Sequence, residues 1–147
     1  MTLAELKKGL LSHMMTIFPK DRYKYYSMDV IEGYDRPCFF TQLKPVDTAP
    51  HNYNSRNNVL TFDINYFSEE VDELEMLTVV DQLRDLFGLA VKIGDRAVKV
   101  DNFEWDFVGT DRNILEVSID VQWSDKIEHA ETDDIVESVE TNTRMEE

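Results

Sequence analysis

The residues able to do chemistry are few and scattered. His13, His51 and His129 fall in a helix-patterned stretch, a polar loop and an acidic segment. None has the short paired spacing that zinc ligands need. Cys38, the only cysteine, lies between Pro37 and Phe39-Phe40, an apolar strand pattern in which burial raises a thiol's pKa and keeps it inert. There is no Gly-x-Ser-x-Gly nucleophile elbow, and the five glycines are too dispersed to cradle a phosphate. Gly94-Asp95 is followed by Arg96-Ala97, which breaks the calcium-loop spacing. Carboxylates remain. Asp63, Glu104, Asp106, Glu116 and Asp120 occupy the polar phase of strand patterns, where several could share one sheet face. Two of them in a cleft that perturbs their pKa values would suit acid–base hydrolysis. An acidic outer sheet surface is the simpler account. Arg22-Tyr23-Lys24-Tyr25-Tyr26 interleaves bases with rings, as single-strand binders do, but the charge around it is negative. Its tyrosines suit a sheet surface or a subunit contact equally well. The expectation is no catalytic, cofactor-binding or metal-ligating residue.

The chain as a whole excludes further classes. Its 147 residues make one domain, large enough to fold without a disulfide or metal staple. Fifteen basic against thirty acidic residues give −15, the wrong sign for a surface that grips phosphates. The longest apolar runs, such as Leu86 to Val91, fall far short of a membrane span, and the first residues lack a signal peptide's apolar centre. These features read as a soluble, cytoplasmically made domain. Residues 128–147 hold eight carboxylates and one arginine, a contribution of −7, with no aromatic residue. Such a segment buries too little to offset its ordering entropy. We expect a body over 1–127 and an acidic, disordered tail over 128–147. Deleting the tail should leave the melting temperature unchanged; a large drop would contradict that division.

The elements that must position these residues follow from periodicity. Thr2 and Glu5 have capping-box spacing, and Leu3, Leu6, Leu10, Met14 and Ile17 form one helical stripe up to Phe18-Pro19. An extended segment runs from Tyr23 to about Ile31, and a strand from Cys38 to Leu43 that Pro45 ends. Asp47 to Asn58, with Pro50 and four asparagines, reads as the longest loop. Leu60, Phe62, Ile64 and Tyr66 alternate with polar residues in a strand over Val59–Phe67. A second helix runs from about Glu69 to Phe87, with Ser68 as its cap and Gly88 as its stop. Leu89–Ile93, Val98–Phe107 and Leu115–Trp123 are strands, the last with strict alternation. Trp105 and Trp123 are both expected in the core. The order α-β-β-β-α-β-β-β describes an α+β domain, two helices packed on a mainly antiparallel sheet.

The opening helix ending at Phe18-Pro19, the strand Arg36-Pro37-Cys38-Phe39-Phe40 with Leu43, and the polar loop carrying Arg56 form a recognisable sequence. Phe62-Asp63-Ile64-Asn65-Tyr66-Phe67, the acidic second helix and the strand Leu115 to Trp123 continue it. Over about residues 1–125 the chain resembles the phage tail terminator (tail completion) family of phages and prophages of Gram-positive bacteria. The resemblance implies a structural virion protein of the tail's neck region, assembled in the host cytoplasm. It would form a ring, commonly a hexamer, on the head-proximal end of the tail tube. There it would stop polymerisation and offer the head connector a docking surface. The implied partners are further copies of the chain, the tail tube protein and head–tail connector proteins, with DNA only as passing cargo. A ring of one subunit type needs heterologous contacts, for which the loop residues Asn52, Tyr53, Asn54 and Arg56 are candidates. Asp63, Glu116 and Asp120 are candidate outward or lumen acids, which would repel passing phosphates. Two other readings stay open. One is a neck adaptor or acidic inhibitor acting on a basic protein partner; the other is a small hydrolase using the strand acids.

Overall fold

The alternation of Leu115, Val117, Ile119, Val121 and Trp123 makes one face of the last strand wholly apolar, and all five are buried. The computed structural model describes residues 1–27, 33–52, 55–109 and 112–126. Its elements are α1 (Leu3–Met14), β1 (Lys24–Ser27), β2 (Cys38–Asn52), β3 (Ser55–Phe67), α2 (Glu73–Phe87), β4 (Ala90–Ile93), β5 (Arg96–Val108) and β6 (Ile114–Lys126). They form one six-stranded sheet in the order β1-β2-β3-β6-β5-β4, with β6 at its centre. Four neighbouring pairs are antiparallel. β1 runs parallel to β2, so the sheet is mixed. Of the division at residue 127, the tail lies outside the described residues.

Both helices cover one face. Leu6, Leu10 and Met14 of α1 and Met76, Val79, Val80, Leu83 and Phe87 of α2 join Phe39, Phe62, Ile64, Tyr66 and the β6 row in one core. Thr2 caps α1 by accepting from the Glu5 backbone N–H. Leu3 and Ile17, expected on the apolar stripe, are exposed, and the helix gives way to turns after Met14. α2 begins four residues later than its acidic run suggests. Ser68 does not cap it, because its hydroxyl donates to the Glu70 carbonyl; Asp72 accepts from the Leu74 and Glu75 N–H groups instead. Gly88 ends α2 at φ 55, a backbone state that favours glycine.

Gly9 has a different reason. A methyl group there would lie 2.5 Å from Ile93 Cγ2, so glycine lets α1 approach β4. Gly9→Ala should therefore destabilise by about 1–3 kcal/mol through overpacking. This outweighs the gain of up to about 1 kcal/mol that alanine brings to a helix interior. A rise in the urea midpoint would show that Ile93 yields freely.

Two departures from periodicity have one cause. β2 does not end at Pro45, and the described residues of the expected loop, Asp47–Asn52 and Ser55–Asn58, are strand. β2 continues to Asn52, paired with β3 throughout. The ladder shifts register between Pro45 and Asp47 and again between Pro50 and Asn52, so each proline sits beside a bulge. Among the described residues the other side of β2 has no neighbouring strand beyond Thr41, and edges and bulges are where a strand tolerates a residue without an N–H. In β5 the helix-facing phase passes from the buried Val98 and Val100 to the less covered Phe103, Trp105 and Phe107. The ladder shift between Asp101 and Glu104 accounts for it, with Asn102 at φ 50 and its amide donating to Asp120. One extra residue reverses which side chains face the helices. Trp105 nevertheless stays 39% exposed, contrary to its expected burial, because among the described residues no strand flanks that part of β5.

Candidate functional site

The face of the sheet opposite the helices carries the strand acids. Ladder partners share a face, so Gln42, Asp63, Ser118 and Glu104 form one row across β2, β3, β6 and β5. Phe40, Asn65, Glu116 and Asp106 form the next, and Lys44, Thr61, Asp120 and Asp101 another. The three singled-out acids, Asp63, Glu116 and Asp120, thus lie on one face, but they are not equivalent. Asp63 is buried, forms an ion pair with Lys44, and accepts from the Ser118 hydroxyl at 2.7 Å. Its charge is locally cancelled. The same carboxylate raises the Lys44 pKa, first through the hydrogen bond and then through its charge. Asp120 accepts from Thr61 Oγ1 at 2.8 Å and Asn102 Nδ2 at 2.9 Å. Glu116 is half-buried and lines an open hollow of about 540 Å³ with Phe103, Glu104, Trp105, Asp106 and Ser118.

At one end this face turns aromatic. Tyr34 lies edge-on to Phe40 and Phe67, with centroids at 5.3 and 5.2 Å, and Tyr26 stands 5.4 Å from Phe40. The Arg36 guanidinium caps the group, 5.2 Å above the Phe67 ring. Half of the tyrosine-rich segment therefore supports this face, while Tyr23 and Tyr25 pack towards the core.

The reactive side chains have structural partners. Burial pushes the Cys38 thiol up to about 11, against a smaller opposing pull from Arg36. His13 Nε2 is 2.8 Å from the Leu86 carbonyl oxygen and its ring leans on Phe87, tying α1 to α2. A recess of about 490 Å³ is lined by Glu69, Glu70, Asp72 and Glu75 with Arg22, Tyr23, Pro37 and Tyr66. There the Tyr66 hydroxyl donates to Glu75 at 2.6 Å; burial first, then that carboxylate, raises the phenol's pKa. Among the described residues no three His, Cys, Asp or Glu side chains gather closely enough to hold a metal, and no helix is long and apolar enough to cross a membrane.

Of the proposed contact residues, Asn52 and Arg56 stand in facing strands, Asn52 opposite Ser55 and Arg56 opposite Pro50. Arg56 is exposed. Tyr53 and Asn54 lie outside the described residues, as do His129 and the acidic tail. What periodicity missed is Asp125. Its carboxylate receives Met1 N at 3.3 Å and Arg96 Nη1 at 2.9 Å. It also accepts from Asn58 Nδ2 at 3.1 Å and Trp123 Nε1 at 2.9 Å. Only its position at the end of the strict β6 alternation hinted at it.

A family model described as "Phage tail terminator protein" matches residues 5–133. No curated protein matches the chain. A solved structure 13% identical to it superposes with a TM-score of 0.53, covering 87% of this chain and 97% of its own. At that identity the likeness concerns the fold alone.

Proposed function

The chain belongs to the phage tail terminator family, a structural family of the virion tail. From that premise we propose that it closes as a ring on the head-proximal end of the tail tube, stops tube growth and presents the surface on which the head connector docks. Six copies is our preferred number. The observation that carries this reading is the one-sided covering of the sheet. Both helices pack on one face, and among the described residues no helix covers the other, which is polar and acid-rich over most of its area. A ring that passes DNA needs such a face towards its opening, where carboxylates keep phosphates from sticking. The role needs contact surfaces and no reaction, in keeping with the structural partners of Cys38 and His13.

Tube elongation tests the reading. Tail tubes incubated with the full chain and then supplied with fresh tube protein should stop lengthening at one end. Unchanged growth at both ends, with excess chain present, would refute it. Glu116→Lys combined with Asp120→Lys should leave capping intact while raising DNA retention in tails and lowering infectivity. Asp63→Lys should act instead on stability, since Asp63 is buried against Lys44. Unaltered retention in the double variant would remove the acidic face from the lumen.

A further inference from the structure

The two lateral edges of the sheet are stepped, and the steps match. At one end β1 flanks β2 only along Cys38–Thr41, so among the described residues β2 has no outer neighbour from Gln42 to Asn52. At the other end β4 flanks β5 only along Arg96–Lys99, with Val100 N–H donating to the Leu89 carbonyl. From Asp101 to Val108, β5 has no outer neighbour among the described residues. The ladders place these features at the same heights. Lys24, Cys38, Phe67, Ile114 and Val108 share one row, while Ala90, Lys99, Gln122, Val59 and Asp47 share another. One edge therefore projects where the opposite edge is recessed.

We propose that copies of this chain join edge to edge, β1 of one copy adding as a strand to the free half of β5 of the next, while the β4 of that next copy seats beside the free half of the first copy's β2. The inference rests on the ring reading and supplies its subunit contact. Strand direction agrees: β1 is parallel to β2, and three antiparallel steps through β3 and β6 leave β5 antiparallel to β1. Side-chain phase agrees as well. Lys24 and Tyr26 share the helix-free face with Cys38 and Phe40, and Tyr25 shares the helix face with Phe39. In β5, Glu104 and Asp106 lie on the helix-free face, Trp105 and Phe107 on the other. At the matched heights Lys24 stands level with Val108 and diagonal to Asp106, and Tyr25 stands level with Phe107, so adding β1 gives Asp106 a cationic cross-strand neighbour and sets Tyr25 beside Trp105. It adds a second ring beside the exposed tryptophan, which within the chain meets only Phe107 edge-on among the described residues, and removes an open strand edge, which proteins otherwise shield. Contacts of this kind are heterologous, and a closed ring of them engages both lateral edges of every copy.

Cross-linking on tail tubes tests the contact with the full chain. Asp106→Cys is combined with Tyr26→Cys and, separately, with Lys24→Cys, which covers the two nearest registers that keep both thiols on one face. Oxidation should give a ladder of covalent oligomers for at least one pair and none for any single variant, the native Cys38 being buried. Lys24→Glu should weaken assembly by about fivefold in concentration per contact without changing the monomer's melting temperature, and Glu104→Lys with Asp106→Lys should restore it. Rings that form without a ladder in either pair would overturn this contact and leave the ring reading standing. Tube ends left bare by the unaltered chain would overturn both, and thiols that link only to a connector protein would assign the β5 edge to that partner instead.

Discussion

Phe39→Ala is expected to lower stability by about 3–5 kcal/mol, the cost of emptying a large aromatic site in a packed core. Phe39 has no exposed surface, and its ring meets Tyr66 at 4.9 Å, Phe18 at 5.0 Å, Tyr25 at 5.4 Å and Tyr23 at 5.6 Å. Those partners come from β3, the turn after α1, β1 and the residue that precedes it. One truncation therefore loosens three segments packed against β2. Each well-placed ring pair adds about 0.5–1.5 kcal/mol beyond burial, against a total of about 5–15 kcal/mol for a typical domain. Urea unfolding reads the effect directly as a lowered midpoint at unchanged slope. Trp105→Ala is the internal comparison: its side chain is 39% exposed, so the monomer should lose far less. Equal losses would mean that the assignment of faces in β5 is wrong.

Asp125→Ala is expected to cost about 2–3 kcal/mol, because two cationic groups and two neutral donors lose a common acceptor. The ends of α1, β3, β5 and β6 would come apart together. Burial opposes ionisation of Asp125, but the hydrogen bonds from Trp123 and the Met1 nitrogen, with the charges of that nitrogen and Arg96, outweigh it. They hold the carboxyl below its ordinary value. The sign of the pH dependence follows. A carboxyl with a depressed folded pKa contributes fully above its unfolded value of about 3.9, and that contribution fades as pH falls through the lower folded value. Asp125→Asn should flatten this acid limb of the stability profile. A limb as steep as in the unaltered chain would assign acid sensitivity to other groups.

Much of the fold was legible because burial on one face writes itself into periodicity. The β6 row, the Leu6, Leu10 and Met14 part of the α1 stripe and the Gly88 stop needed no long-range knowledge. What stayed hidden depends on neighbours. Pro45 and Pro50 mark a strand's end if both of its sides must pair, yet among the described residues one side of β2 is open there. Nothing local distinguishes the two cases. The parity change between Val100 and Phe103 was visible, but its meaning requires the ladder to β6. Ser68 and Asp72 compete for the α2 cap, and the winner is set by where β3 releases the chain. The acids on the helix-free face followed from alternation, whereas the pairing of Asp63 with Lys44 joins residues on two strands and could not. The edge steps are properties of the whole sheet and have no motif.

Electron microscopy of tail tubes mixed with the full chain tests the central claim, that this domain acts by closing around a tube end. The account predicts a ring of density at the head-proximal end only, with the helix-free sheet face turned to the opening. Tubes bare at both ends in saturating chain, or chain bound along the tube wall, would contradict it.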